Sequence, residues 1–340
     1  MKNIKIMMRE GRKLMDLSYP FHVQLHLTDK CNLKCRHCYE GERKTANEWE
    51  YRELLVVIDE LDKTFEKWNV DGEISLVGGE PVMYPYLSDL LYYIRKKSFI
   101  SRIAILTNGT FIPDKLKKAI LDTKAAVQIS IDGITKEKHD FIRGEGNYEK
   151  AINSIKWLVS NQIEVFVHYV ISKYSVPISK EFIDFISNLG VKQLTFSLVV
   201  PMGASDKSVM LNKDELKEVY SKLNEYANSL PENGMSINTT RPLWTHFGKT
   251  GRCPVGIQTI TILPDGTVLP CRRLPISVGN IKKNSLFSIW YNSEVLWNLR
   301  QRNKFQKCGE CEHLDDCGGN RCIAYAVTGD YMREDPQCWI

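Results

Sequence analysis

Ten cysteines carry the most distinctive chemistry in this sequence, and they fall into two groups. Cys31, Cys35 and Cys38 stand in Leu27-Thr-Asp-Lys-Cys-Asn-Leu-Lys-Cys-Arg-His-Cys-Tyr39, a C-x3-C-x2-C spacing. The other seven lie between residues 253 and 338. A disulfide framework spreads through a small secreted domain, which this clustering does not. Three thiolates this close in sequence can converge on one small object. A structural zinc ion wants a fourth ligand, which His37 or a distant residue would supply. A [4Fe–4S] cubane wants four ligands, so three cysteines leave one iron open to something that is not protein.

The C-terminal group runs Cys253, twelve residues, Gly266, four residues, Cys271, then Cys308-x2-Cys311-x5-Cys317-x4-Cys322 and Cys338. A zinc ribbon built from Cys308, Cys311, Cys317 and Cys322 is one reading of it. Other polar residues stand where short apolar runs end. Gly78-Gly79-Glu80-Pro81 offers backbone that a ligand can approach closely, and a carboxylate that can accept from an ammonium group. Thr107-Asn108-Gly109, Ser130-Ile-Asp-Gly133 and Arg143-Gly144 follow. Asn108 and Asp132 suit loop capping as well as ligand contact. The guanidinium fork of Arg143 suits a carboxylate.

These residues need a scaffold that brings strand ends together. Strands are expected over 22–27, 73–77, 102–107, 126–131, 164–171 and 193–199, short apolar runs rich in β-branched residues. Helices with 3.6-residue periodicity lie between them. The first carries Leu54, Ile58, Leu61, Phe65 and Trp68 on one face, with Asn47 as N-cap and Glu50 three residues on. Pro113 opens the third, Gly190 ends the fifth, and Asn212 with Glu215 caps a further helix over 212–229. Six βα units predict a parallel sheet with right-handed crossovers, an α/β fold of the partial (β/α)6 TIM-like barrel type. Chemistry in such barrels sits at the C-terminal strand ends. Residues 231–252 read as a linker, rich in Pro and Gly. A hairpin turns at Pro264-Asp-Gly266, one helix covers 286–301, and the tail beyond 307 reads as cysteine-rich loop. The expected division is an N-terminal segment 1–21, a barrel 22–230, the linker 231–252, and a small C-terminal cysteine-rich α+β domain 253–340.

The 340 residues are 43% hydrophobic and 26% charged, with a formal net charge of +5. That is globular composition, with enough chain for a large core. No Lys/Arg block argues for nucleic acid. The first ten residues lack the apolar run of a signal peptide. Runs such as Leu54-Leu-Val-Val-Ile58 are far too short to span a bilayer. The expectation is a cytoplasmic chain that binds neither nucleic acid nor membrane, with reduced cysteines free to ligate metal.

The cysteine loop after the apolar strand Val23–Leu27 resembles that of the radical S-adenosylmethionine (SAM) superfamily. The resemblance implies that Cys31, Cys35 and Cys38 hold a [4Fe–4S] cluster whose open iron is chelated by the amino and carboxylate groups of SAM. One electron then splits SAM into methionine and a 5′-deoxyadenosyl radical, which takes a hydrogen atom from a substrate. Gly78-Gly79-Glu80 matches the family's element for the SAM amino group. Asn108 ends the next strand, and Ser130 and Arg143 stand where close relatives hold the ribose and carboxylate. The C-terminal cysteines resemble the SPASM domain, as do Gly279-Asn280, Leu286-Phe-Ser-Ile-Trp290 and Leu299-Arg300. By that resemblance Cys253, Cys271 and Cys322 hold a first auxiliary [4Fe–4S] cluster. Cys308, Cys311, Cys317 and Cys338 hold a second, making three clusters in all. The family has three residues where Gly318-Gly-Asn-Arg321 supplies four.

SPASM enzymes mostly act on peptides or proteins, so the resemblance implies an oxidoreductase that matures a ribosomally made peptide. Anaerobic sulfatase maturases are the alternative. They resemble an eight-cysteine pattern with an aspartate after the position of Cys271, where this chain has Arg272. Maturation of a cofactor or haem precursor is a third reading. A plain electron carrier leaves the SAM elements unexplained. A flavodoxin or ferredoxin is the expected electron donor. Only 21 residues precede the first strand, too few for a winged-helix leader-binding domain. The peptide is then held by the barrel and SPASM surfaces or brought by a separate leader-peptide recognition protein. Arg272 and Arg273 place positive charge beside Cys271, favouring an anionic group at the first auxiliary cluster.

Overall fold

The computed structural model describes residues 20–41, 47–133, 135–232, 234–239, 241–248 and 252–340. Of the N-terminal segment 1–21 only the last two residues are among them, and Gly251 of the expected linker is not. Strands β1 (Phe21–His26), β2 (Gly72–Val77), β3 (Ile100–Thr107), β4 (Ala126–Ser130), β5 (Val165–Ile171) and β6 (Gln193–Leu198) lie side by side in sequence order, all parallel. The helices between them make this an α/β partial barrel.

The sheet reaches further than six strands at both edges. β7 (Ser236–Thr239) pairs parallel with β6, inside the stretch expected as a linker, followed by a 3-10 turn over Arg241–Phe247. At the other edge β8 (Thr259–Ile262) pairs parallel with β1, His22 opposite Thr259 and Leu25 opposite Ile262. β9 (Thr267–Leu269) and β10 (Gly279–Asn280) continue antiparallel. The hairpin at Pro264-Asp-Gly266 is therefore present, and its first strand belongs to the barrel sheet.

Along β1 and β5 burial alternates, so these strands are not fully buried on both faces as short apolar runs would suggest. Phe21, Val23 and Leu25 of β1 and Val165, Val167, Tyr169 and Ile171 of β5 are buried against the helical layer. Alternate positions, His22, Gln24, Gln128, Ser130 and His168, are half-buried. Period-2 geometry puts them on the opposite, polar face.

The helix Tyr51–Trp68 buries Leu54, Val57, Ile58, Leu61 and Phe65. Its cap differs from expectation: Glu50 holds the N-cap position without a side-chain bond, and Asn47 is drawn away to Asp29. The stretch 286–301 is two helices, Leu286–Asn292 and Glu294–Arg300, because the Ser293 hydroxyl accepts from the Leu296 N–H and starts the chain anew. Phe21 sits edge-on to Trp290 at 4.8 Å and tilts against Trp68 at 4.9 Å, joining β1, the first helix and the C-terminal region in one aromatic cluster. Two further helices escaped the periodicity. Lys136–Arg143 is capped by the Thr135 hydroxyl. Arg321–Thr328 is capped by Asn320 and lies in the tail expected as loop. The capping box of Asn212 with Glu215 is present as expected. Among the described residues no helix is long and apolar enough to cross a membrane.

Candidate active site

The loop after β1 carries Cys31, Cys35 and Cys38, with Cys31 exposed and the other two half-buried. Backbone bonds clasp it from two sides. The Arg36 N–H donates to Ile142 O at 2.9 Å, and the Ala204 N–H donates to Cys38 O at 2.8 Å. Gly203, at φ +67°, permits the second contact, because a Cβ there would stand 2.5 Å from Cys38 O. The strand ends meet this loop. At the end of β2 the glycines admit protein backbone: a Cβ on Gly78 would stand 2.7 Å from Thr28 O, and the Gly79 N–H donates to that carbonyl at 2.8 Å.

Glu80 is buried and accepts from the Thr107 hydroxyl at 2.6 Å, the Asn108 N–H at 2.8 Å and the Val82 N–H at 3.2 Å. Three bonds leave one of its four lone-pair sites open. Burial pushes its carboxyl up, against the pull of the Asn108 and Thr107 bonds. The Asn108 amide donates to Asn32 Oδ1 at 2.8 Å and so ties β3 to the cysteine loop. Its capping role is thus present in the structure, with Thr110 as a further partner.

Asp132 is fully buried at the end of β4. Its carboxylate accepts from His37 Nε2 at 2.6 Å, Arg143 Nε at 2.5 Å and the Val170 N–H at 2.8 Å. Burial alone would raise its pKa; Arg143 and His37 overcome this and hold it far below the usual carboxylate range. His37 Nδ1 has no hydrogen-bond partner. Arg143 also points Nη1 at Cys35 Sγ, 4.0 Å away. Cys31, Cys35, Cys38, Glu80, Asn108 and Arg143 therefore gather at one rim of the barrel. Ser130 reaches the same rim on β4, paired in register with His168 of β5.

The C-terminal cysteines form two sets. The Cys322 thiol donates to Cys271, whose pKa is lowered by that bond and by Arg273 against its burial. Cys253 lies within their electrostatic reach. In the other set Cys308 and Cys317 are buried, Cys338 interacts with both, and the Cys311 N–H donates to Cys308 O at 3.2 Å. Cys322 thus stands with Cys253 and Cys271, which dissolves the zinc-ribbon grouping. Burial raises Cys317 to about 12, so this thiol keeps its proton until a cation displaces it.

Residues 25–186 match the family model of the radical SAM superfamily. This stretch is a radical SAM domain. Residues 253–317 match SPASM, an iron–sulfur cluster-binding domain, and Cys322 and Cys338 lie just beyond the matched segment. The chain is similar to an AdoMet-dependent heme synthase of Methanosarcina barkeri, 28% identical, over 94% of this chain and 96% of that protein. It is also similar to the antilisterial bacteriocin subtilosin biosynthesis protein AlbA of Bacillus subtilis, 29% identical, over 94% of this chain and 71% of that protein. The fold matches Streptococcus suis SuiB bound to S-adenosylmethionine with a TM-score of 0.76 at 18% identity, over 95% of this chain and 78% of that one.

Radical SAM and SPASM domains bind SAM and iron–sulfur clusters, and the donor sets here fit such groups. Each cysteine set has an arginine against one sulfur: Arg143 at Cys35, Arg273 at Cys271 and Arg321 at Cys308. Anionic thiolate clusters call for such cations. Arg272 differs from expectation, because its Nε donates to Glu40 Oε1 at 2.9 Å and its charge is spent there. Ligand atoms of His26, Asp29 and Glu40 lie within 4.8 Å of one another, and Arg272 supplies the cation for that acidic group. Sequence reasoning missed Asn32, Thr107, the Glu40–Arg272 pair and the bridging role of Asp132. The Ser-Ile-Asp-Gly segment was the visible signal for Asp132.

Proposed function

We propose that this radical SAM enzyme is a peptide maturase. The observation that carries the reading is the set Cys253, Cys271 and Cys322. It is one thiol short of a full cubane complement, and Arg273 on Cys271 favours an anionic fourth ligand. A cysteine thiolate of a peptide has that chemistry. The relative named for subtilosin biosynthesis supports the same substrate class.

In this reading Cys31, Cys35 and Cys38 hold the first of three [4Fe–4S] clusters. With SAM bound, that cluster would supply one-electron reductive cleavage of SAM and, through it, hydrogen-atom abstraction from the substrate. Glu80 accepts from the SAM ammonium at its open lone pair. Gly78 and Gly79 let the Glu80 turn sit tightly on Thr28, and Asn108 steadies the cysteine loop through Asn32. Ser130, at the same rim, would contact the ribose. Arg143 offers the SAM carboxylate those N–H groups not directed at Asp132 and Cys35. Cys308, Cys311, Cys317 and Cys338 hold the second auxiliary cluster. A flavodoxin or ferredoxin delivers electrons.

Maturation of a haem precursor is the second reading, favoured by the heme synthase match that spans 94% of this chain and 96% of that protein. One experiment separates the two. The reconstituted enzyme, SAM and dithionite are incubated anaerobically with a cysteine-containing precursor peptide encoded beside the gene, or with an iron porphyrin. Faster 5′-deoxyadenosine release with the peptide, and a product lighter by two hydrogens, is expected. Stimulation by the porphyrin alone would overturn the peptide reading.

A further inference from the structure

We propose that Arg321 sets the reduction potential of the second auxiliary cluster, raising it above the value its four thiolates alone would give. The inference rests on the ligand sets proposed above. Arg321 is 2% exposed. Its Nη1 donates to Tyr331 O at 2.9 Å and Arg333 O at 2.7 Å, and its Nε to Gly319 O at 3.5 Å. Its guanidinium lies 4.4 Å from the centroid of the Phe305 ring. These contacts fix the group without neutralising it. Its remaining contact is with sulfur: Nη2 donates to Cys308 Sγ at 3.6 Å. The buried acid nearby, Asp335, accepts from the N–H groups of Asn320 at 2.7 Å and Gln337 at 3.0 Å and acts on Arg321 only through space. A buried cation held by carbonyls alone is costly. The thiolate of Cys308 is therefore its direct anionic partner.

Gly319 makes that partnership possible. It sits at φ +66°, and a Cβ there would stand 2.3 Å from Arg321 Nη2 and 3.2 Å from Cys308 Sγ. Any side chain at this position would push the cation off the sulfur. Chain geometry adds a second point. Arg321 opens the helix Arg321–Thr328, and the next residue, Cys322, belongs to the other cysteine set. One helical turn thus presents a cation to the second set and a ligand to the first. The four residues between Cys317 and Cys322 place the arginine here.

Reduction adds one electron to the cluster and breaks no bond, and Arg321 keeps its proton throughout. A donor and positive charge on a ligating sulfur stabilise the more negative, reduced state. A charge-assisted bond of this kind shifts the equilibrium about tenfold or more.

The test is a mediated redox titration of the reconstituted holoenzyme, followed by electron paramagnetic resonance and paired with iron analysis. Arg321→Met is expected to lower the second cluster's midpoint by about 59 mV, a tenfold change for one electron. Its SAM cleavage remains as in the wild type. Arg321→Lys, which keeps the charge and loses the fork, is expected to fall between. An unchanged midpoint in a fully loaded Met variant would overturn the proposal. If the Met variant does not load, the Lys variant decides: failure to load would show a role in assembly instead of potential. A wild-type chain lacking the second auxiliary signal and its iron would overturn the ligand reading itself.

Discussion

Replacing Asp132 with Asn isolates the group that holds the active-site rim together. The substitution keeps shape and the bond from the Val170 N–H, and removes the charge shared by His37 Nε2 and Arg143 Nε. Breaking a buried ion pair by removing one partner costs about 3–5 kcal/mol, because the other charge is left behind. Arg143 retains one anionic neighbour, the sulfur of Cys35 at 4.0 Å, which places the loss near about 3 kcal/mol on that scale. At about 2.1 cal/mol/K per residue, 340 residues give an unfolding entropy of about 0.7 kcal/mol/K. The melting temperature should fall by about 4 °C on those figures. The pH dependence follows from the direction of the shift. The folded carboxyl lies far below its unfolded value, so its contribution is complete above the unfolded pKa of about 4 and is lost as pH falls through the folded value. Asp132 is therefore ionised at both pH 6 and pH 8, and the penalty is present at each. Anaerobic differential scanning calorimetry of the reconstituted wild type and variant at those two values measures it. A melting temperature within about 1 °C of wild type would refute the view that Asp132 neutralises Arg143.

Cys35→Ala should abolish 5′-deoxyadenosine formation under dithionite, read by chromatography, and undiminished cleavage would remove Cys35 from the ligand set. Glu80→Gln should weaken SAM binding about tenfold, one charge-assisted bond, while iron content stays at the wild-type level; isothermal titration measures the first and a colorimetric assay the second. Gly203→Ala should lower iron incorporation at the first cysteine set, because its Cβ would meet Cys38 O at 2.5 Å from a left-handed backbone. Full iron loading in that variant would show that the loop accommodates the side chain.

The strands and the first cysteine motif were legible because their signals are local. A β-branched run declares a buried strand within six residues, and ligand spacing declares itself within eight. Gly-Gly-Glu was legible as a turn, but the glycines admit Thr28 backbone, which no local pattern reveals. The network around Asp132 joins His37 to a partner 95 residues away, and the Glu40–Arg272 pair spans 232 residues. Such pairs exist only once the sheet has aligned its strand ends. β7 was hidden by Pro and Gly on either side of a short run. The helix Lys136–Arg143 was hidden by its charge, since only His139, Ile142 and Arg143 of its eight residues are buried.

β1 pairs with β2 on one side and with β8 on the other, and its partners in β8 lie 237 residues further along the chain. During synthesis that edge of β1 stays open until residue 262 has left the ribosome. At about 5–20 residues per second the wait is on the order of 12–50 seconds. An unpaired parallel edge is a template for pairing with other chains. The cysteine loop hangs from this same strand, so the nascent protein displays a naked edge and three free thiols together. A chain cut after residue 252 would keep both hazards permanently. The barrel and the C-terminal region are in this sense one folding unit, and expression of the barrel alone should give aggregate.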